Sequence, residues 1–146
     1  AGDQFISFGT WKWTDLHVKT SAKSVYRYFY AHPRPPMKDA KDKNAIPKGA
    51  VHSAEIEYAM GNLPLNDVFA WTEIDYKVSN LMQNYFANFI KTGNPNGAGL
   101  TQWPVYDSEE TQLLEIERNG SRVAKKDPKK ERLDIIQKAV EARELH

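Results

Sequence analysis

The clearest pattern in the chain is a stripe of apolar residues at helical spacing. Ile74, Val78, Leu81, Met82, Tyr85, Phe86, Phe89 and Ile90 recur every three or four positions. That period predicts a helix with one packed face. Thr72, followed three residues on by Asp75, has the frame of a capping box, and Gly93 supplies a left-handed C-cap. Ser79 lies off the stripe with no base beside it, so it is given no catalytic role. Residues 5–20 carry a looser version of the spacing, through Phe5, Phe8, Trp11 and Leu16, and predict a helix weakened at Gly9. Its two tryptophans, Trp11 and Trp13, mark it as a strongly packing element. A last helix follows Asp127 and Pro128, a cap and a first-position proline. Leu133, Ile136 and Ala139 or Val140 give it one apolar side, and Lys129, Lys130, Glu131, Lys138, Glu141 and Arg143 are expected to face water.

Strand signals are fewer. Residues 24–31, Ser-Val-Tyr-Arg-Tyr-Phe-Tyr-Ala, are rich in β-branched and aromatic types without clean alternation. That predicts a strand covered on both faces, as in a parallel sheet. Residues 113–117, Leu-Leu-Glu-Ile-Glu, predict a short strand, and Asn119-Gly120 a tight turn leading to Arg122-Val123. Residues 32–48 hold Pro33, Pro35, Pro36 and Pro47 and the charged run Lys38-Asp-Ala-Lys-Asp-Lys43, which predict a loop. A connection this long is either functional, rimming the mouth of a site, or a plain excursion. His32, just before Pro33, is expected in solvent or in a loop contact. Residues 54–60 predict a short helical turn, 62–71 an irregular stretch, and 94–99 a turn cluster ahead of a packed Trp103-Pro-Val-Tyr106.

Composition narrows the function classes. The chain has 146 residues, long enough for a domain with a real core. Its 20 Lys and Arg against 19 Asp and Glu leave a charge of +1, which offers no general attraction for nucleic acid. The basic run at 122–132 is interleaved with acids and reads as a solvated face. With no cysteine, a disulfide, a thiolate nucleophile and a cysteine-based zinc site are excluded. No apolar run approaches the length of a membrane span.

The candidate chemistry lies at 49–62, Gly-Ala-Val-His-Ser-Ala-Glu-Ile-Glu-Tyr-Ala-Met-Gly-Asn. Of the four histidines, only His52 sits among small and apolar residues. A loop histidine entering packed structure is a candidate general base, because its ordinary pKa is close to neutrality. The competing reading is a histidine satisfied by a backbone neighbour. Glu55 and Glu57 follow in the same turn. A histidine and a carboxylate together could ligate a metal, but no second histidine stands at usable spacing.

The 49–62 stretch, with Tyr85-Phe-Ala-Asn-Phe-Ile-Lys-Thr-Gly-Asn-Pro-Asn96 and the Trp103-Pro-Val-Tyr106 that follows, resembles the C-terminal part of the type B carboxylesterases. That family includes para-nitrobenzyl esterases and cholinesterases. The resemblance runs from about Phe5 to about Ile116. It implies an α/β fold: the C-terminal portion of a single α/β-hydrolase domain over residues 1–146, mostly helices plus a few strands that complete a large central sheet. It matches His52 to the histidine of a Ser-Glu/Asp-His triad. Glu55 matches a buried acid that holds the loop, while Glu57 reads as solvated. Many members carry glycine directly after this histidine, where this chain has Ser53.

Such hydrolases keep the chain order serine, acid, histidine. No serine here lies between glycines in a Gly-x-Ser-x-Gly elbow; Ser7 and Ser121 both fail the spacing. The nucleophile, the triad acid and the oxyanion donors are therefore expected on a larger N-terminal part, which becomes this chain's partner. The resemblance implies a small-molecule ester substrate, no cofactor and no metal. It leans toward a secreted or periplasmic setting without fixing the compartment. Two rivals stand beside it: a cholinesterase-like binding or adhesion protein without a nucleophile, and a free-standing α+β interaction domain. The latter would rest on one strand and a weak hairpin, which is marginal alone.

Overall fold

The computed structural model describes residues 6–42, 48–124 and 126–144. Among the described residues are four α-helices and three strands: α1 (Phe8–Thr20), β1 (Tyr28–Tyr30), α2 (Ile56–Met60), α3 (Glu73–Thr92), β2 (Leu113–Glu117), β3 (Gly120–Ala124) and α4 (Lys130–Glu144). Phe5, at the expected start of the first helix, lies outside the described residues, as do 43–47 with Pro47 and Lys43. The chain divides into two compact units, each taken by itself below.

The first unit holds α1, α4 and residues 104–113. In α1 the buried residues are Trp11 and Thr14, one turn apart. Trp13 is 65% exposed and stacks on His17 instead, and Leu16 is exposed too. The expected pair of packing tryptophans is therefore one, because Trp13 falls on the opposite side of a helix packed along a single face. On α4, Leu133 is buried and Asp127 caps the start by accepting from the Lys129 backbone N–H at 2.8 Å. Asp127 is itself buried and ion-paired with Arg27. Lys129 and Lys130, expected in water, are half-buried. Lys129 donates to Ser7 at 3.2 Å, and the Lys130 ammonium lies 5.5 Å from the Trp11 ring centre while pairing with Asp134. A lysine stem can lie along apolar surface and leave its head on an aromatic face.

The second unit holds β1, α2, α3 and the paired stretches of β2 and β3. β1 runs parallel to β2 in the register Tyr28–Leu114, Phe29–Glu115 and Tyr30–Ile116. The expected strand over 24–31 contracts to 28–30, the three residues in register with β2, and the Ala31 backbone N–H adds one further bond to the Ile116 carbonyl at 2.8 Å. Leu114 and Ile116 of β2 are fully buried. β3 lies beside β2 across a two-residue link, Arg118-Asn119, the span that joins antiparallel neighbours.

Helix α3 follows its stripe for most of its length. Val78, Met82 and Tyr85 are buried, the capping box at Thr72 and Asp75 is in place, and Gly93 closes the helix at φ +76°. Burial stops short of its C-terminal end: Ile90 is 81% exposed and Phe89 about half exposed. Twenty residues make a helix of about 30 Å, and the five-residue α2 that packs on it is much shorter. Ser79, off the stripe, is nonetheless buried. Its hydroxyl donates to the Tyr58 carbonyl at 2.8 Å, so a small polar residue fits between α2 and α3.

Candidate active site

His52, Ser53 and Glu55 share the turn at 52–55 that leads into α2. Ala54, in the middle of that turn, is fully buried and anchors it. The His52 imidazole is exposed, and among the described residues it has no hydrogen-bond or ion-pair partner. Glu55 is half-buried at the N-cap of α2. Its carboxylate makes no hydrogen bond among the described residues. Burial, and after it the negative charge of Glu55, pushes the Tyr28 phenol up to about 12.

Ser53 adopts φ +62°. A left-handed backbone costs a residue with a Cβ roughly 1–2 kcal/mol. This is where the resembling family often has glycine, so the departure at Ser53 is accommodated as local strain.

Arg34, from the Pro-rich loop, holds that turn. Its Nη2 reaches the Ser53 carbonyl oxygen at 3.5 Å and pairs with the Glu57 carboxylate at 2.9 Å. The guanidinium lies 5.1 Å from the Phe69 ring centre. Glu57 also accepts from the Asn66 side-chain amide. The expectation of a solvated Glu57 is corrected: a half-buried carboxylate is kept there by a guanidinium and an amide.

His32 overturns its expectation more sharply. It is 3% exposed, with Nε2 2.9 Å from Asp75 Oδ1. Asp75 also accepts from the Tyr58 hydroxyl at 2.8 Å, the Thr72 backbone N–H at 2.8 Å and the Thr72 hydroxyl at 2.6 Å. Burial alone would raise the Asp75 pKa, but the bonds from His32, Thr72 and Tyr58 outweigh it and hold it at about 2. Burial, then the bond to Asp75, pushes the Tyr58 phenol far up. An imidazole sits here because an ionised carboxylate meets it inside.

The His32–Asp75 pair has the form of an orienting acid and an imidazole. It cannot act as one in this chain: the other ring nitrogen, Nδ1, is buried and meets no hydroxyl among the described residues. His52, by contrast, is exposed. Among the described residues no three His, Asp or Glu side chains gather as metal ligands, and no helix is long and apolar enough to cross a membrane.

The model of the carboxylesterase family matches residues 1–136. The chain belongs to the carboxylesterase family. Among its relatives, pyrethroid hydrolase Ces2e of Rattus norvegicus is 34% identical over 110 residues, 75% of this chain and 19% of that protein. Carboxylesterase 5A of Canis lupus familiaris is 38% identical over 112 residues, 74% of this chain and 19% of that protein. This carboxylesterase chain thus spans about a fifth of the length of the curated relatives it matches. A solved esterase of Clostridium hathewayi, described as hydrolysing aliphatic aromatic polyesters, superimposes with a TM-score of 0.62 at 26% identity. The match covers 79% of this chain and 21% of that one. The helices and the three-stranded sheet are those of the C-terminal part of an α/β-hydrolase fold.

The bonds of Arg34 to the turn at 52–57 and the buried cluster of His32, Asp75 and Tyr58 went unread. The capping-box signal did point to Asp75, but to only one of its two duties. Arg34 gave no signal, because its partners Ser53 and Glu57 lie across a loop.

Proposed function

We propose that this chain supplies the general base, His52, of a carboxylic ester hydrolase of the type B class. A serine attacks the ester carbonyl while His52 takes its proton. The imidazolium then gives that proton to the departing alcohol, leaving an acyl-serine. In the second half His52 takes a proton from water as its oxygen attacks the acyl-serine, and the imidazolium returns that proton to the serine oxygen as the acyl–oxygen bond breaks and the acid leaves. The serine, the acid that orients His52 and the oxyanion donors are assigned to a portion of the hydrolase outside these 146 residues. That assignment is supported by the absence of a Gly-x-Ser-x-Gly elbow and by the fifth of the relatives' length that the chain spans. Glu55 is assigned to holding the turn on the family resemblance alone, since its half-buried carboxylate makes no bond to the turn among the described residues. The substrate is a small ester, and the steps use no metal or cofactor.

The observation that carries the reading is the exposed imidazole of His52, unpartnered among the described residues, in a chain of the carboxylesterase family. The test is His52→Ala in the complete, esterase-active protein, assayed on a nitrophenyl ester. Turnover should fall on the order of 10⁴-fold with the unfolding midpoint unchanged. Full turnover in that variant would sink the assignment.

A further inference from the structure

We infer that Arg34 is a positioning residue for His52, acting through the backbone of the turn; this rests on the reading of His52 as the base. The turn has a strained point, Ser53 at φ +62°, immediately after His52. Strain of this kind persists only where the surroundings over-determine it. Among the described residues the restraints on the turn are few. Ala54 is buried beneath the turn, its backbone N–H donates to the Val51 carbonyl at 3.2 Å, and that of Ile56 to the Ser53 carbonyl at 3.4 Å. Arg34 adds the long-range restraint. It takes hold at two points, the Ser53 carbonyl at 3.5 Å and the Glu57 carboxylate at 2.9 Å. The planar guanidinium spans an anion and a carbonyl at once and rests on Phe69, which fixes its own orientation. The ion pair to Glu57 anchors the turn and the long 3.5 Å contact on the Ser53 carbonyl restrains the residue after His52, which narrows the directions open to the imidazole. A general base needs that, since a displacement of about 1 Å at a reacting group can cost as much as 10²-fold in rate.

The test compares Arg34→Met, Arg34→Lys, Ser53→Gly, the double variant Ser53→Gly/Arg34→Met, and His52→Ala in the complete protein, at a temperature where all stay folded. Arg34→Met should lower kcat by roughly 10-fold and leave KM within about twofold. Arg34→Lys should recover part of the loss. In the double variant most of the loss should vanish, because glycine adopts a positive φ without a clamp. The side-chain ¹⁵N resonances of His52, assigned by their loss in His52→Ala, report the same thing without turnover: they should broaden or split in Arg34→Met and sharpen again in the double variant. Wild-type kcat together with unchanged His52 resonances in Arg34→Met overturns the inference while leaving His52 as the base. Full turnover in His52→Ala overturns the base instead, and the resonances then still decide whether Arg34 orders the ring. A loss in Arg34→Met that Ser53→Gly does not relieve also counts against the clamp.

Discussion

His32 and His52 stand at the two ends of one loop in opposite settings. His32 is sealed in the interior, bonded to an ionised carboxylate that three further donors also serve. His52 is in the open, and its ring has no partner among the described residues. The same side chain therefore does different work by environment alone. A buried imidazole bonded through one nitrogen to a carboxylate stores stability, because removing it takes a donor from a charge in low dielectric. An exposed, unengaged one contributes little to folding and keeps its ring free for chemistry.

The two histidines differ most in what their removal costs in stability. His32→Ala should cost about 3 kcal/mol in denaturant unfolding, since it strips a donor from a buried carboxylate. His52→Ala should stay within about 0.5 kcal/mol of the parent. Equal costs for the two would remove the distinction.

Acid sharpens it next. The Asp75 carboxyl is lowered from 3.8 to about 2 in the folded protein. A lowered folded pKa means that folding favours the ionised form. Its contribution is complete above about pH 4 and is lost as pH falls toward 2, and it amounts to about 2 kcal/mol. The difference in unfolding free energy between the parent and Asp75→Asn should therefore shrink across that window. A difference that stays constant from pH 5 to pH 2 would mean that the node does not hold a charge.

The smallest effect belongs to the cap. Thr72→Ala removes the hydroxyl donated to Asp75 and should cost about 1 kcal/mol. Thr72→Ser should restore most of it, as read from the unfolding midpoint.

What could be read from residues alone was local. The cap, stripe and C-cap of α3 each rest on signals within a few positions, and all three appear, although the stripe outruns its cover at Phe89 and Ile90. The parallel pairing of β1 was legible as a class, but its length was not, since that depends on where β2 offers partners. His32 was misread because its partner lies 43 residues on. Glu57 was misread for the same reason, with Arg34 on the far side of the loop. Trp13 failed in the reverse sense: aromatic character says that a residue can pack, while the face of α1 it occupies decides whether it does. For the site, residue type and surroundings singled out His52, but nothing local announced the arginine that grips its turn.

The amide cluster after α3 bears on how the chain ages. Asparagine followed by glycine is the pair most prone to cyclise onto the next backbone nitrogen and open to isoaspartate. Asn96-Gly97 is such a pair, yet its side chain is held at both ends. Its oxygen accepts from the Trp103 backbone N–H at 2.6 Å, and its nitrogen donates to the Trp103 carbonyl and to Asn94, each at 3.0 Å. Ring closure requires those bonds to break first, so deamidation at this point runs no faster than the local structure opens. Asn119, exposed in the link before Gly120 and without side-chain bonds among the described residues, has no such bonds to break before its ring can close.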